Sequence, residues 1–141
     1  MAPSPARNPV GLGQAMIVAG IGCRKGASAA DISAAIDDAL TRAGLAAQAL
    51  DLIAAPEFKG GEHGLAVAAV VRGVPLVLVA KAQLEEAGAR TKTRSERVLF
   101  LSGVSSVAEA AALAAGGPAA RLLVPRITLG MATCALAVSE E

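Results

Sequence analysis

The chain has 141 residues, 54% hydrophobic and 18% charged, which suffices for one buried core and leaves no length for two ordinary domains. Thirteen basic against twelve acidic side chains give a net charge of +1, which excludes a global field steering the protein to nucleic acid or an anionic membrane. Trp and Tyr are absent, and two phenylalanines cannot build the stacking platform of a single-strand reader.

In chain order, residues 1–13 hold Pro3, Pro5, Pro9, Gly11 and Gly13, a composition that sustains neither helix nor ladder, and an unstructured leader is expected there. One domain is expected over residues 14–141. Ala15 to Ile21 is a continuous apolar run ending at Gly22, too short for a membrane span, and predicts a strand. A lipoprotein export signal is disfavoured because Gly20 stands where a large aliphatic residue is needed before Cys23.

From Ser28 the apolar period becomes helical through Ile32, Ala35, Ile36, Ala39, Leu40 and Ala43, with Ser28 and Asp31 as a cap and Gly44 as the stop. Leu50 to Ala54, closed by Pro56, predicts a second strand; Leu65 to Val71 predicts a helix ending at Gly73. Pro75 to Val79 predicts a buried strand, and Lys81 to Ala87 a short helix stopped by Gly88. The polar stretch Ala89 to Arg97 predicts a loop, solvated in preference to a lid, followed by a brief apolar piece, Val98 to Leu101.

Ser106 and Glu109 have capping-box spacing for a helix over Val107 to Ala115, which stops at Gly116-Gly117-Pro118. Leu122 to Val124 and Ala132 to Val138 are the last strands, and the short Pro125 to Met131 link makes that pair antiparallel. Alternating elements of this kind predict a three-layer α/β/α sandwich with a mostly parallel or mixed sheet.

The sharpest local motif is Gly20-Ile21-Gly22-Cys23-Arg24-Lys25-Gly26, placed between the first strand and the first helix. Its glycines permit close backbone approach, while helix-start amides with Arg24, Lys25 and Ser28 attract an anion. The competing explanation is that the glycines serve packing alone. A dinucleotide site is an outside alternative, because the spacing is G-x-G-x-x-x-G and no acid ends the second strand, Asp51 lying inside it. Gly103, Ser105 and Ser106 repeat the arrangement before the later helix, so both turns can face one cleft at the carboxyl ends of strands.

Cys23 beside two cations and a helix start is a weak nucleophile candidate with no adjacent base; His63, the only histidine, is expected on an exposed loop. Cys23 and Cys134 form no C-x-x-C pair, which predicts neither disulfide framework nor zinc site and suits a reducing cytoplasm. No cofactor, metal, nucleic-acid or membrane partner is expected.

Three blocks, GIGCRKG at residues 20–26, GVSSVAEAAALAAG at 103–116 and LLVPRITLGMATCALA at 122–137, together resemble the CobE and CbiG C-terminal domain family of cobalamin biosynthesis. The length suits a free-standing member of the CobE type. The resemblance implies a three-layer α/β/α domain that binds or processes a corrin-ring (precorrin) intermediate, in the aerobic pathway for stand-alone members, with other pathway enzymes as partners. Whether it is an enzyme stays open: in the anaerobic pathway CbiG is associated with opening a ring-A δ-lactone, which implies a hydrolase or lyase alternative. Where the family often carries Lys and then Gly-Asn, this chain has Arg126 and Gly130-Met131. Joined to the resemblance, the candidate ligand contacts are Gly20, Gly22, Cys23, Arg24, Lys25, Gly26, Ser28, Gly103, Ser105, Ser106, Glu109 and Arg126, a rim suited to the carboxylates of a corrin.

Overall fold

In the computed structural model, which describes residues 16–57, 62–91 and 107–139, the first apolar run becomes the middle strand of a five-stranded mixed sheet. The elements are β1 (Met16–Cys23), α1 (Ala29–Arg42), β2 (Leu52–Pro56), α2 (His63–Arg72), β3 (Leu76–Val79), α3 (Lys81–Thr91), α4 (Val107–Gly116), β4 (Arg121–Leu129) and β5 (Ala132–Ser139). Strand order is β3-β2-β1-β5-β4, with β1, β2 and β3 parallel and β5 antiparallel to both β1 and β4.

Two apolar layers flank the sheet, as the alternating elements predict. On one face Ile32, Ile36 and Leu40 of α1 and Leu65 and Ala68 of α2 bury against Ala19, Ile21, Ile53 and Leu136. On the other, Leu84 of α3 and Ala110 to Leu113 of α4 bury against Val18, Leu52, Ala54 and Ala137. The Ser28 hydroxyl accepts the Asp31 N–H at 3.0 Å. Paired bonds from Gly44 to Thr41 and from Leu45 to Leu40 close α1, as the terminal glycine predicts.

Several boundaries move for physical reasons. β1 continues through Gly22 and Cys23, because both keep ladder partners on β5, Thr133 and Ala132. The expected glycine turn is therefore shorter, and Gly20, Gly22 and Cys23 belong to the strand. Gly20 is glycine for packing: a Cβ there would strike the Ala108 carbonyl oxygen and lie 2.6 Å from the Ala112 nitrogen, so α4 rests on bare backbone. A short 3-10 turn over Ala47–Ala49 delays β2 by two residues relative to the expected Leu50 to Ala54.

β3 is an edge strand with Leu78 43% exposed and is not the buried strand expected. α3 runs through Gly88 to Thr91, since an interior glycine costs a helix only about 1 kcal/mol relative to alanine. β4 runs through Pro125, tolerable on an edge, with register shifts flanking Val124. The leader, the apolar piece Val98 to Leu101, the cations Lys92, Arg94 and Arg97, and Gly103, Ser105 and Ser106 lie outside the described residues.

Replacing Gly20 by Ala should lower stability by about 2 kcal/mol or more, because backbone atoms of α4 cannot yield as a flexible side chain would. Gly22→Ala, whose new Cβ would have nearest neighbours at 3.9 and 4.0 Å, should change it by less than about 1 kcal/mol. Urea unfolding of both variants checks this, and equal losses would show that close approach of α4 is not what requires Gly20.

Candidate functional site

The carboxyl end of β1 is where most of the candidate residues meet. α1 begins just beyond it, after the turn Arg24 to Ser28. α4 lies along β1 with its start at this end: the Cβ position of Gly22 is 3.9 Å from Val107 and 4.0 Å from the Ala108 nitrogen. α2 starts against the same turn, since a Cβ on Gly64 would strike the Ala27 carbonyl oxygen and lie 3.1 Å from the Ala29 nitrogen. Three helix N-termini thus lie near one end of one strand, α1 and α2 on one face of the sheet and α4 on the other, at the rim on which open α/β sheets bind ligands.

The β4-β5 hairpin closes the rim from the other side. Its tip is Gly130-Met131, and the Arg24 N–H donates to the Met131 carbonyl oxygen at 3.0 Å. Arg24, Lys25, Gly26 and Ser28 are exposed around it, as are Leu129 and Met131, so two cations stand beside an apolar tip. Cys23 is half-buried at the end of β1, opposite Ala132, and His63 is exposed at the start of α2, on a helix and not on the loop expected.

Carboxylates also lie at this end of the sheet: Glu109, which was a candidate, Glu62, which was not, and Asp31 in the first turn of α1, whose Oδ1 is 3.5 Å from the Cβ position of Gly130 at the hairpin tip. Glu109, in the first turn of α4 and only 9% exposed, accepts the Arg126 backbone N–H at 3.0 Å, and the Arg126 guanidinium approaches the same oxygen at 3.8 Å. The register shift after Val124, with Pro125 lacking an N–H, turns that amide toward α4. Glu109 and Arg126 therefore come together, and the carboxylate serves Arg126. Glu62 was invisible to motif reading: its Oε1 accepts the Gly26 N–H at 3.0 Å across 36 residues. An acid just ahead of a helix was the one available signal.

Asp51 precedes β2 and does not lie inside it; its carboxylate accepts the Ile17 N–H at 2.8 Å at the opposite end of the strand from the rim. Because β2 ends at Pro56, exposed Glu57 follows it, so the expectation that no acid ends the second strand does not hold. The dinucleotide alternative is weakened instead by Gly20 and Gly22, whose Cβ positions look onto α4. Among the described residues no group of three His, Cys, Asp or Glu side chains is placed to hold a metal, and no helix is long and apolar enough to cross a membrane. Cys134, on β5, is buried in the layer between the sheet and α1 and α2, which pushes its thiol from 9.0 up to about 12 against an opposing pull from Arg72.

Comparison with known proteins places this arrangement among related chains. The family described as Cobalamin synthesis G C-terminus matches residues 17–137. Protein CobE from Sinorhizobium sp. is 36% identical over 121 residues, which are 86% of this chain and 79% of that protein. The crystal structure of CobE, a protein from the cobalamin (vitamin B12) biosynthetic pathway, superposes with a TM-score of 0.77 at 34% identity, covering 94% of this chain and 97% of that one. Cobalamin biosynthesis protein chiG from Agrobacterium tumefaciens str. C58 is 41% identical with a TM-score of 0.70, covering 86% and 97%. A cobalamin biosynthesis protein G homolog from Sulfolobus solfataricus, 24% identical with a TM-score of 0.69, shares the fold over 90% of this chain and 38% of its own length.

Two outcomes follow from the buried groups. Between pH 9 and about 12 the Cys134 thiol ionises in the unfolded chain but stays protonated in the folded one. Its contribution is complete below pH 9 and is lost as pH rises, at about 1.4 kcal/mol per unit. Urea unfolding across this range should therefore show a steeper decline for the native chain than for Cys134→Ala; parallel declines would refute the shift. Glu109→Ala should cost about 1–3 kcal/mol by stranding the Arg126 N–H, and Glu109→Gln, which keeps an acceptor, should cost less in the same assay.

Proposed function

The chain belongs to the CobE and CbiG C-terminal family of cobalamin biosynthesis proteins, and from that premise we propose that it holds a carboxylated corrin intermediate on the rim at the carboxyl end of β1. A corrin precursor is an apolar macrocycle ringed by acetate and propionate groups. It asks for cations and amide donors beside apolar surface. The observation that carries the proposal is the bond from the Arg24 N–H to the Met131 carbonyl, which ties the cationic turn to the exposed apolar tip formed by Leu129 and Met131.

In this proposal Arg24 and Lys25 bind peripheral carboxylates, the Ser28 end of the turn adds donors while the Gly26 N–H is given to Glu62, and Arg126 is a third cation, held by Glu109. Gly22 and Cys23, half-buried at the end of β1, border the rim, whereas Gly20 lies covered beneath α4 and serves packing. The Arg126 guanidinium, one-third exposed, keeps donors for a ligand while its backbone is fixed. Holding and handing on an intermediate of the aerobic pathway needs no nucleophile, and Cys23 is not assigned one.

The double change Arg24→Ala with Lys25→Ala tests this. Each charge-assisted contact to an ionised carboxylate contributes about 1.5–3 kcal/mol, so affinity for a corrin with free peripheral carboxylates should fall roughly tenfold or more. The urea midpoint should hardly move, because changes at exposed turn positions usually stay within about 0.5 kcal/mol. Mass spectrometry of the recovered corrin should show an unchanged mass. Unaltered affinity would remove the turn from the site, and an altered mass would replace holding by a hydrolase or lyase step.

A further inference from the structure

Glu62 stands at the N-cap of α2, and its side chain makes no capping bond to that helix. Its carboxylate instead reaches the Gly26 N–H of the β1-α1 turn. Packing delivers it there: the first turn of α2 is seated against Ala27, Ser28 and Ala29 through Gly64, and a Cβ at that position would collide. Arg24 and Lys25 immediately precede the amide that Glu62 occupies. A carboxylate of the chain thus fills a donor on which the rim would receive a ligand carboxylate.

We propose that Glu62 is a self-ligand, holding the Gly26 amide until an incoming carboxylate displaces it, and so selecting ligands with several carboxylates over simple acids. The inference rests on the rim being the anion site proposed above. An intramolecular carboxylate competes at a high effective concentration, so a lone acid cannot match it. A polycarboxylate engages Arg24, Lys25 and the freed amide together and can.

Calorimetric titration of the full chain with a corrin bearing free peripheral carboxylates, and separately with acetate, tests the proposal. Glu62→Ala removes the acceptor and frees the Gly26 N–H, and it should bind the corrin about fivefold tighter and give acetate a measurable affinity. Glu62→Asp, too short to hold the Gly26 N–H at the same place, should show the same gain and replaces the Ala variant if that variant fails to fold. Unchanged or weaker corrin binding in these variants, with Arg24→Ala and Lys25→Ala still weakening it, would overturn the self-ligand and leave the rim standing. If the double variant also leaves affinity unchanged, the rim itself is wrong and the self-ligand falls with it.

Discussion

The close seating of α4 on β1 at Gly20 is the contact on which the rest of the arrangement depends. An alanine-rich helix has little side chain to bury, so it stabilises a sheet only by coming near enough for its backbone to be part of the contact. Gly20 makes that approach possible, with Ala108 and Ala112 directly above it, and Val18 and Gly116 continue the same line toward the other end of the strand. The same seating fixes where α4 starts. Its first turn, carrying Glu109, is brought to the carboxyl end of β1, on the opposite face of the sheet from α1 and α2.

Carboxylates of the chain answer the positive ends of these helices, and Glu109 and Glu62 do so in different ways. Glu109 is buried and shared with the Arg126 backbone and guanidinium, which makes it part of the scaffold. Glu62 is half-buried and, among the described residues, its carboxylate bonds a turn amide far away in sequence. The first arrangement costs a buried unsatisfied amide to undo, whereas the second exposes one amide at an already solvated turn. That difference is why Glu62 is the carboxylate a ligand can displace.

What the sequence reveals divides along the range of the interaction. The Ser28 cap, the stop at Gly44 and the antiparallel last pair are legible because donor and acceptor, or the two strands, lie a few residues apart. The end of β1 was not legible, because a glycine inside a strand and a glycine in a turn look alike until the helix above Gly20 is known. Edge positions misled in the same way: a run of Leu and Val at β3 reads as buried, and Pro125 reads as a break, until the strand order puts both strands at the margins. Of the site, Arg24 and Lys25 could be named from a cationic turn after a strand. The pairing of Glu109 with Arg126 and of Glu62 with Gly26 could not, since only the fold sets those partners 17 and 36 residues apart side by side.

Backbone amide NMR of the native chain, titrated with a corrin that carries free peripheral carboxylates, tests the central claim most directly. The account predicts that the amides of Arg24, Gly26, Ala27 and Met131 shift first and furthest, since these line the carboxyl end of β1 and the hairpin tip bonded to it. Shifts gathered instead along the exposed edge of β3 and the end of α2, around Leu78, Val70 and Val71, with the turn and hairpin tip unmoved, would contradict it.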